Sequence, residues 1–503
     1  MSAIHQRTLH RNASHRRAGT AAVLAAMAAG FCSALQAQAA ALALEDCRLN
    51  SELIGGSVAA RCGWLSVPEN REQPDGKHIR LHVAVIPSLR VEPAGDPLFI
   101  VSGGPGQAAS DLYISVAPAL SRVRRNRDIV VVDQRGTGRS NRLDCTFPDE
   151  SEITFSDPAQ LREATQACLA NLPGDPRHYT TSVAVRDLDE VRAALGYQKL
   201  DLYGVSYGTR VVQHYMRRYP DRVRVAILDG VVPPQLALGP DVALDAQAAI
   251  DNAFARCEST AECKQAFPDI AATFAALRER VREQPFALAI PDPLTAEPTR
   301  ARLGIPELTA AVRMLSYSDE TISTLPLLIH EAEAGRPQAL AAQFLMIKRS
   351  LDTQIANGMH FAVVCSEDAP RWDAHPAPRA DVSKTYIGEA FMTAVRTICE
   401  QWPRGPVDQD FGEPLRSAVP TLILSGGNDP VTPARNGERI LPGLSSARHL
   451  VLDGQGHGQL TIGCMPRLVA EFIVTADVNA IDDGCLQMVA PAPFLLSRSA
   501  PAP

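Results

Sequence analysis

Ser206 stands between two glycines in Gly204-Val205-Ser206-Tyr207-Gly208, a G-x-S-x-G pentapeptide. A serine hydroxyl is a poor nucleophile until a base takes its proton and an acid orients that base. The flanking residues suit that task. Leu200 to Val205 is a short apolar run that reads as a buried strand, and Thr209 to Tyr219 is an apolar, arginine-bearing helical pattern. Neighbours without side chains let strand and helix pack closely around a strained turn, so that the serine Oγ stands clear. An ordinary glycine-bearing turn would show the same five residues. The strand–turn–helix context selects the nucleophile.

In that arrangement the partners follow in the order Ser, acid, His, each beyond the C-terminal end of a strand. His457 fits the base, because Asp453-Gly454-Gln455-Gly456-His457-Gly458 follows the apolar run His449 to Leu452. His449 begins that run and so belongs at the wrong end of the sheet. Asp229 and Asp429 both follow apolar runs and both lie between Ser206 and His457. Asp429 is preferred because its strand immediately precedes the one that delivers His457. Asp229 then reads as a turn residue bonding local amides. Asp133 precedes Ser206, so chain order excludes it as the acid. A tetrahedral oxyanion would need two aimed N–H donors. The amide of Tyr207 is one candidate. Gly104, chosen over Gly103 in Ser102-Gly103-Gly104-Pro105-Gly106, is the other.

The elements that must position these residues alternate in type. Leu98 to Val101, Ile129 to Val132, Leu200 to Val205, Arg224 to Leu228, Thr421 to Ser425 and His449 to Leu452 read as buried strands. Ile79 to Pro87 alternates and reads as half-exposed. A helix over Val183 to Leu195 would bury Val185, Leu188, Val191 and Leu195. The fold class is therefore α/β with a mostly parallel sheet. From 235 to 405 the pattern turns helical, with Ile270, Phe274, Leu277 and Val281 forming one core stripe. That stretch reads as an inserted cap, with the proline-rich segment Pro285 to Pro306 as a connector. Core segments are expected at 40–234 and 406–489, and a flexible tail at 490–503.

Composition sets the compartment and the partners. The first 39 residues hold Arg7, Arg11, Arg16 and Arg17 and no acid, followed by an alanine-rich apolar run and Ala37-Gln38-Ala39. That order reads as a secretory signal peptide, predicting export to the periplasm or medium. Its removal takes the formal charge from −7 to −11, which argues against nucleic acid and anionic membranes as partners. No later run is long and apolar enough to span a bilayer. Cys32 lies in the signal, and ten cysteines remain, none in a C-x-x-C pair. In an oxidising compartment they are expected to pair sequentially, because short segments separate neighbours: Cys47–Cys62, Cys145–Cys168, Cys257–Cys263, Cys365–Cys399 and Cys464–Cys485. The chain carries no H-E-x-x-H and no P-loop, and Gly136-Thr137-Gly138 lacks the third glycine of a dinucleotide fingerprint, so no metal or redox cofactor is implied.

GGPG at 103–106, DQRGTGRS at 133–140, GVSYGT at 204–209, LDGVVPP at 228–234, GGNDPVTP at 426–433 and GHG at 456–458 resemble the proline iminopeptidase and secreted tripeptidyl aminopeptidase family. These are serine exopeptidases of the α/β-hydrolase fold. The resemblance covers nearly the whole mature chain, and the part with Cys464 and Cys485 is similar to the tripeptidyl-aminopeptidase C-terminal region. One departure is Ser102, where many relatives carry histidine. The resemblance implies cleavage from a free N-terminus through an acyl-enzyme on Ser206. Such an enzyme needs carboxylates to hold the substrate ammonium. Glu367 and Asp368, after the apolar run ending at Cys365, are the candidates in the cap.

Peptides with a free N-terminus are thus the expected substrates. The alternative is a carboxylesterase with the same fold and triad, since the triad does not select the acyl group. A catalytically silent binding protein is disfavoured by the intact Ser206, Asp429 and His457. A dehalogenase would place aspartate at position 206.

Overall fold

The computed structural model describes residues 42–51, 55–145, 157–374 and 378–498. The expected signal peptide lies outside the described residues, as do Cys32 and residues 499–503.

Among the described residues eleven strands are formed: β1 (Glu45–Asn50), β2 (Ser57–Pro68), β3 (His78–Ile86), β4 (Leu98–Val101), β5 (Ile129–Val132), β6 (Leu200–Val205), β7 (Val223–Asp229), β8 (Phe286–Pro291), β9 (Pro298–Leu303), β10 (Thr421–Gly426) and β11 (Ala447–Leu452). Nine make one sheet in the order β1-β2-β3-β5-β4-β6-β7-β10-β11. From β5 to β11 all neighbours are parallel. The β-branched runs explain this arrangement, since strands covered on both faces need apolar residues at every position. Phe99, Val101, Val130 and Val132 enter one core, while Leu98, Ile100, Ile129 and Val131 enter the other. Each such side chain contributes about 1.5–3 kcal/mol by leaving water.

β3 departs from expectation. Its last six residues are all buried, because β2 and β5 cover its two edges and both sheet faces are packed. The β1–β2 hairpin carries few long apolar runs and was not foreseen; Cys47 and Cys62 staple it.

Helix α1 (Thr181–Ala194) buries Val185, Leu188 and Val191 as the spacing predicts, whereas Leu195, at its C-cap, is only half-buried. Helix α2 (Tyr207–Arg218) follows β6 directly. Because β7 pairs with β10 with Ala226 opposite Thr421, everything between them is an insertion into the sheet. The insertion has its own core, including Phe254, Phe274, Leu277 and Val281. Helices α3 (Val242–Ser259) and α4 (Asn357–Val363) belong to it.

Two expectations are corrected. The segment Pro285 to Pro306 is no plain connector, since β8 and β9 form an antiparallel hairpin there. Pro291 and Pro298 sit opposite each other at its closed end, where a missing N–H costs least. The turn is held by Asp292, which accepts from the amides of Leu294 and Thr295 at 2.9 and 3.0 Å. The tail up to Arg498 is likewise not free. Phe494 is buried in the insertion core beneath Arg256, and the Leu495 amide donates to Ser323 O at 3.1 Å.

Among the described residues five disulfides join Cys47 to Cys62, Cys145 to Cys168, Cys257 to Cys263, Cys365 to Cys399 and Cys464 to Cys485. Among the described residues no helix is long and apolar enough to cross a membrane.

Candidate active site

Parallel strands deliver their C-terminal ends to one edge of the sheet. Ser102, Asp133, Ser206, Asp229 and Asp429 therefore lie along a single rim, with His457 on the loop after β11. Ser206 occupies the sharp turn between β6 and α2 with φ 55° and ψ −128°, a conformation that a non-glycine residue adopts only under strain. Its flanking glycines are dictated by contact. A Cβ on Gly204 would stand 2.6 Å from Gly208 O, and one on Gly208 would stand 2.4 Å from Val101 O. Helix, elbow strand and β4 thus touch backbone to backbone.

His457 Nδ1 lies 2.8 Å from Asp429 Oδ2. Thr432 Oγ1 donates to the same oxygen at 2.7 Å and stands 3.0 Å from His457 Nδ1. The amides of Val431 and Thr432 donate to Asp429 Oδ1, both at 2.9 Å. A carboxylate facing Nδ1 places the ring hydrogen there and leaves Nε2 as a bare proton acceptor. Burial alone would raise the Asp429 carboxyl, but the His457 charge and these hydrogen bonds hold it below the usual range. Burial works against the charged form of His457 as well. The charges of Asp429 and Asp229 and the Asp429 hydrogen bond outweigh it, so the ring titrates above an ordinary histidine.

The rival candidates are placed elsewhere. His449 lies within β11, opposite Ile423, and its Nε2 meets Ser425 Oγ at 2.9 Å. Asp133 faces His82 at 3.3 Å and accepts from the amides of Ser110 and Arg139. Asp229 does bond amides, but they are distant ones, Gln459 and Leu460 beyond His457.

Gly103 packs directly on the serine: a Cβ there would stand 3.0 Å from Ser206 Cβ and 3.6 Å from Oγ. Gly104, with φ 101°, turns the chain into Pro105. Ser102 Oγ donates to Gln107 O at 2.5 Å and closes this loop. The insertion grips the site from two sides. The Ala356 amide donates to Gly106 O at 3.0 Å, and the His457 amide donates to Tyr317 O at 2.6 Å. The Tyr317 ring meets the His457 ring edge-on at 5.4 Å.

The expected substrate-facing acids require correction. Glu367 and Asp368 are 2% and 0% exposed, in a π-helical turn that points both into the protein. Asp368 accepts from both Nη atoms of Arg210, at 3.1 and 2.9 Å, and from the Leu238 amide at 2.9 Å. Glu367 accepts from the Thr181 amide and hydroxyl at 2.6 and 3.0 Å, and Thr181 Oγ1 in turn meets Tyr207 OH at 2.6 Å. Burial pushes Glu367 up to about 7 against the opposing Arg210 charge. Asp368 ties the insertion to α2 through Arg210 and Glu367 ties it to α1 through Thr181, and their oxygens are already occupied.

Sequence reasoning missed Thr432 and Tyr317. Thr432 sits three residues after Asp429, and that spacing is the local signal for a side-chain-capped turn. Tyr317 comes from the insertion and had no signal. Among the described residues no three His, Cys, Asp or Glu side chains are grouped to hold a metal.

A family model of the alpha/beta hydrolase fold matches residues 96–460, so the chain belongs to that family. It is a serine hydrolase of the α/β fold. Three relatives illustrate its range. Serine protease Hip1 of Mycobacterium tuberculosis is 27% identical, covering 85% of this chain and 88% of that protein. Tripeptidyl aminopeptidase of Streptomyces coelicolor is 26% identical over 92% and 89% of the two chains. Carboxylesterase B of M. tuberculosis is 28% identical over 82% and 84%.

Proposed function

We propose that the protein is an exported serine aminopeptidase that releases N-terminal residues or short peptides through Ser206, His457 and Asp429. The observation that carries this reading is the 2.8 Å contact of His457 Nδ1 with Asp429 Oδ2, on the rim that holds the strained Ser206. Likeness to a serine protease and a tripeptidyl aminopeptidase over most of the chain supports the peptidase chemistry. In the proposed mechanism His457 Nε2 takes the Ser206 proton as Oγ attacks the carbonyl. The amides of Tyr207 and Gly104 receive the oxyanion. His457 then protonates the leaving amine, and water releases the acyl group by the same route. Residues 235–405 act as a cap that limits peptide length. The five disulfides support export, and residues 1–39 would be the removed signal.

Carboxylester hydrolysis is the second reading, favoured by the relative named carboxylesterase B. A panel of free and N-blocked peptide anilides plus short esters separates the two, with Ser206→Ala as control. Turnover of free-amine anilides is the expected result. Turnover of blocked peptides or esters alone would overturn the aminopeptidase reading.

A further inference from the structure

Asp229 is fully buried at the end of β7, and it touches the loops that carry the nucleophile and the base. Its main-chain carbonyl accepts from the Ser206 amide at 2.9 Å. Its side chain reaches the other loop. Oδ1 accepts from the Gln459 amide at 2.8 Å, and Oδ2 accepts from Gln459 and Leu460 amides at 2.9 and 3.0 Å. Tyr203 OH, on the elbow strand, donates to Oδ2 at 2.9 Å. The next residue completes the junction, because the Gly230 amide donates to Leu424 O of β10, the strand that leads to Asp429. Gly230, at φ 66°, also leaves room for the base, since a Cβ there would stand 3.0 Å from His457 Cε1.

A turn residue would bond its own neighbours. This carboxyl instead bonds amides 230 and 231 positions away, two and three residues beyond His457. Burying a carboxylate is costly unless its oxygens are satisfied, and here four donor contacts satisfy them. From this junction we infer that Asp229 is a positioning residue for the proposed hydrolysis: it fixes the spacing between Ser206 and His457 and supplies a second negative charge behind the imidazole. The inference rests on the Ser206–His457–Asp429 reading. Burial lifts the Asp229 carboxyl to about 6 despite these donors and the His457 charge. The groups facing His457 are Asp429 and Thr432 from the loop after β10, Asp229 from β7 and Tyr317 from the insertion. Tyr203 and His457 are those facing Asp229.

The test compares Asp229→Asn and Tyr203→Phe in the full mature chain with wild type, with Ser206→Ala as the dead control. An asparagine turns an N–H donor toward one of the amides it must accept from and removes the charge. Three quantities are measured: kcat and KM on a peptide anilide, the rate of Ser206 sulfonylation by phenylmethylsulfonyl fluoride, and the acid limb of kcat/KM. Asp229→Asn is expected to lower kcat about 10²-fold, as for a misplacement of about 1 Å, with KM little changed. Sulfonylation slows in parallel, and the acid limb moves to lower pH because His457 loses a charge that favours its protonated form. A merely structural role would leave the limb in place. If Asp229→Asn does not fold, Tyr203→Phe carries the test, with kcat expected to fall about tenfold for one lost hydrogen bond. In the folded variant, a kcat within about twofold of wild type with an unmoved acid limb overturns the inference. Hydrolysis by Ser206→Ala would instead overturn the triad reading beneath it.

Discussion

His457 shows at the scale of one residue how neighbours set a chemical role. Its Nδ1 is committed to Asp429 and Thr432, so in the proposed hydrolysis the proton-accepting work falls to Nε2. Because the ring titrates above an ordinary histidine, it is protonated and idle at low pH, and kcat/KM should rise through an acid limb above about pH 6.5. Asp429→Asn should move that limb to lower pH and reduce kcat about 10⁴-fold through the wrong tautomer. Thr432→Val keeps the carboxylate but removes one O–H donor. A loss of about 1–1.5 kcal/mol, or roughly tenfold in kcat, is expected. Initial rates across pH for both variants check this, and wild-type profiles in either would reject the orientation argument.

At the scale of elements, the elbow depends on main chains touching where glycines stand. Gly208→Ala would place a carbon 2.4 Å from Val101 O and 2.6 Å from Ser102 O. Neither backbone atom can yield easily, so a loss of about 1–3 kcal/mol in stability is expected by urea denaturation. The π-helical turn at Val364–Asp368 gives a pH-dependent prediction. The folded value of Glu367, about 7, exceeds its ordinary 4.5, so its contribution to stability is complete below about pH 4.5 and is lost as pH rises through 7. Glu367→Gln should therefore flatten the decline of Tm over that interval. Parallel Tm curves would show that Glu367 titrates normally. Were Glu367 a substrate anchor, the variant would raise KM for free-amine peptides alone; an internal clamp predicts equal effects on peptides and esters.

Across the whole molecule, the insertion and the sheet are fastened through the site itself. The Ala356 amide holds the loop of Gly106, and Tyr317 O holds His457. Phe494 extends the fastening from the C-terminal side. Phe494→Ala should cost about 3–5 kcal/mol if the cavity does not collapse. A change in Tm no larger than that of an exposed substitution would mean the tail carries no load. Peptide mapping without reductant should recover five bridges and no free thiol in the mature protein. Reduction should lower stability by about 2–4 kcal/mol per bridge.

The residues themselves determined the parts that depend on near neighbours. Apolar runs of four to six residues, such as Ile129–Val132 and Leu200–Val205, can satisfy their surroundings only as covered strands, and the order of the motifs along the chain set the candidates Ser206, Asp429 and His457. The prolines around β8 and β9 read as a connector because their place at the hairpin's closed end depends on pairing register. Tertiary structure alone decided the rest. Whether Glu367 faces substrate or Arg210 depends on how the insertion docks against α2, an encounter between residues 157 positions apart. Whether Asp229 bonds its own turn or the amides beyond His457 depends on β7 and the loop after β11 meeting at one rim. Sequence periodicity reports which face of an element is apolar; it carries no record of which distant backbone supplies a buried carboxyl's hydrogen bonds.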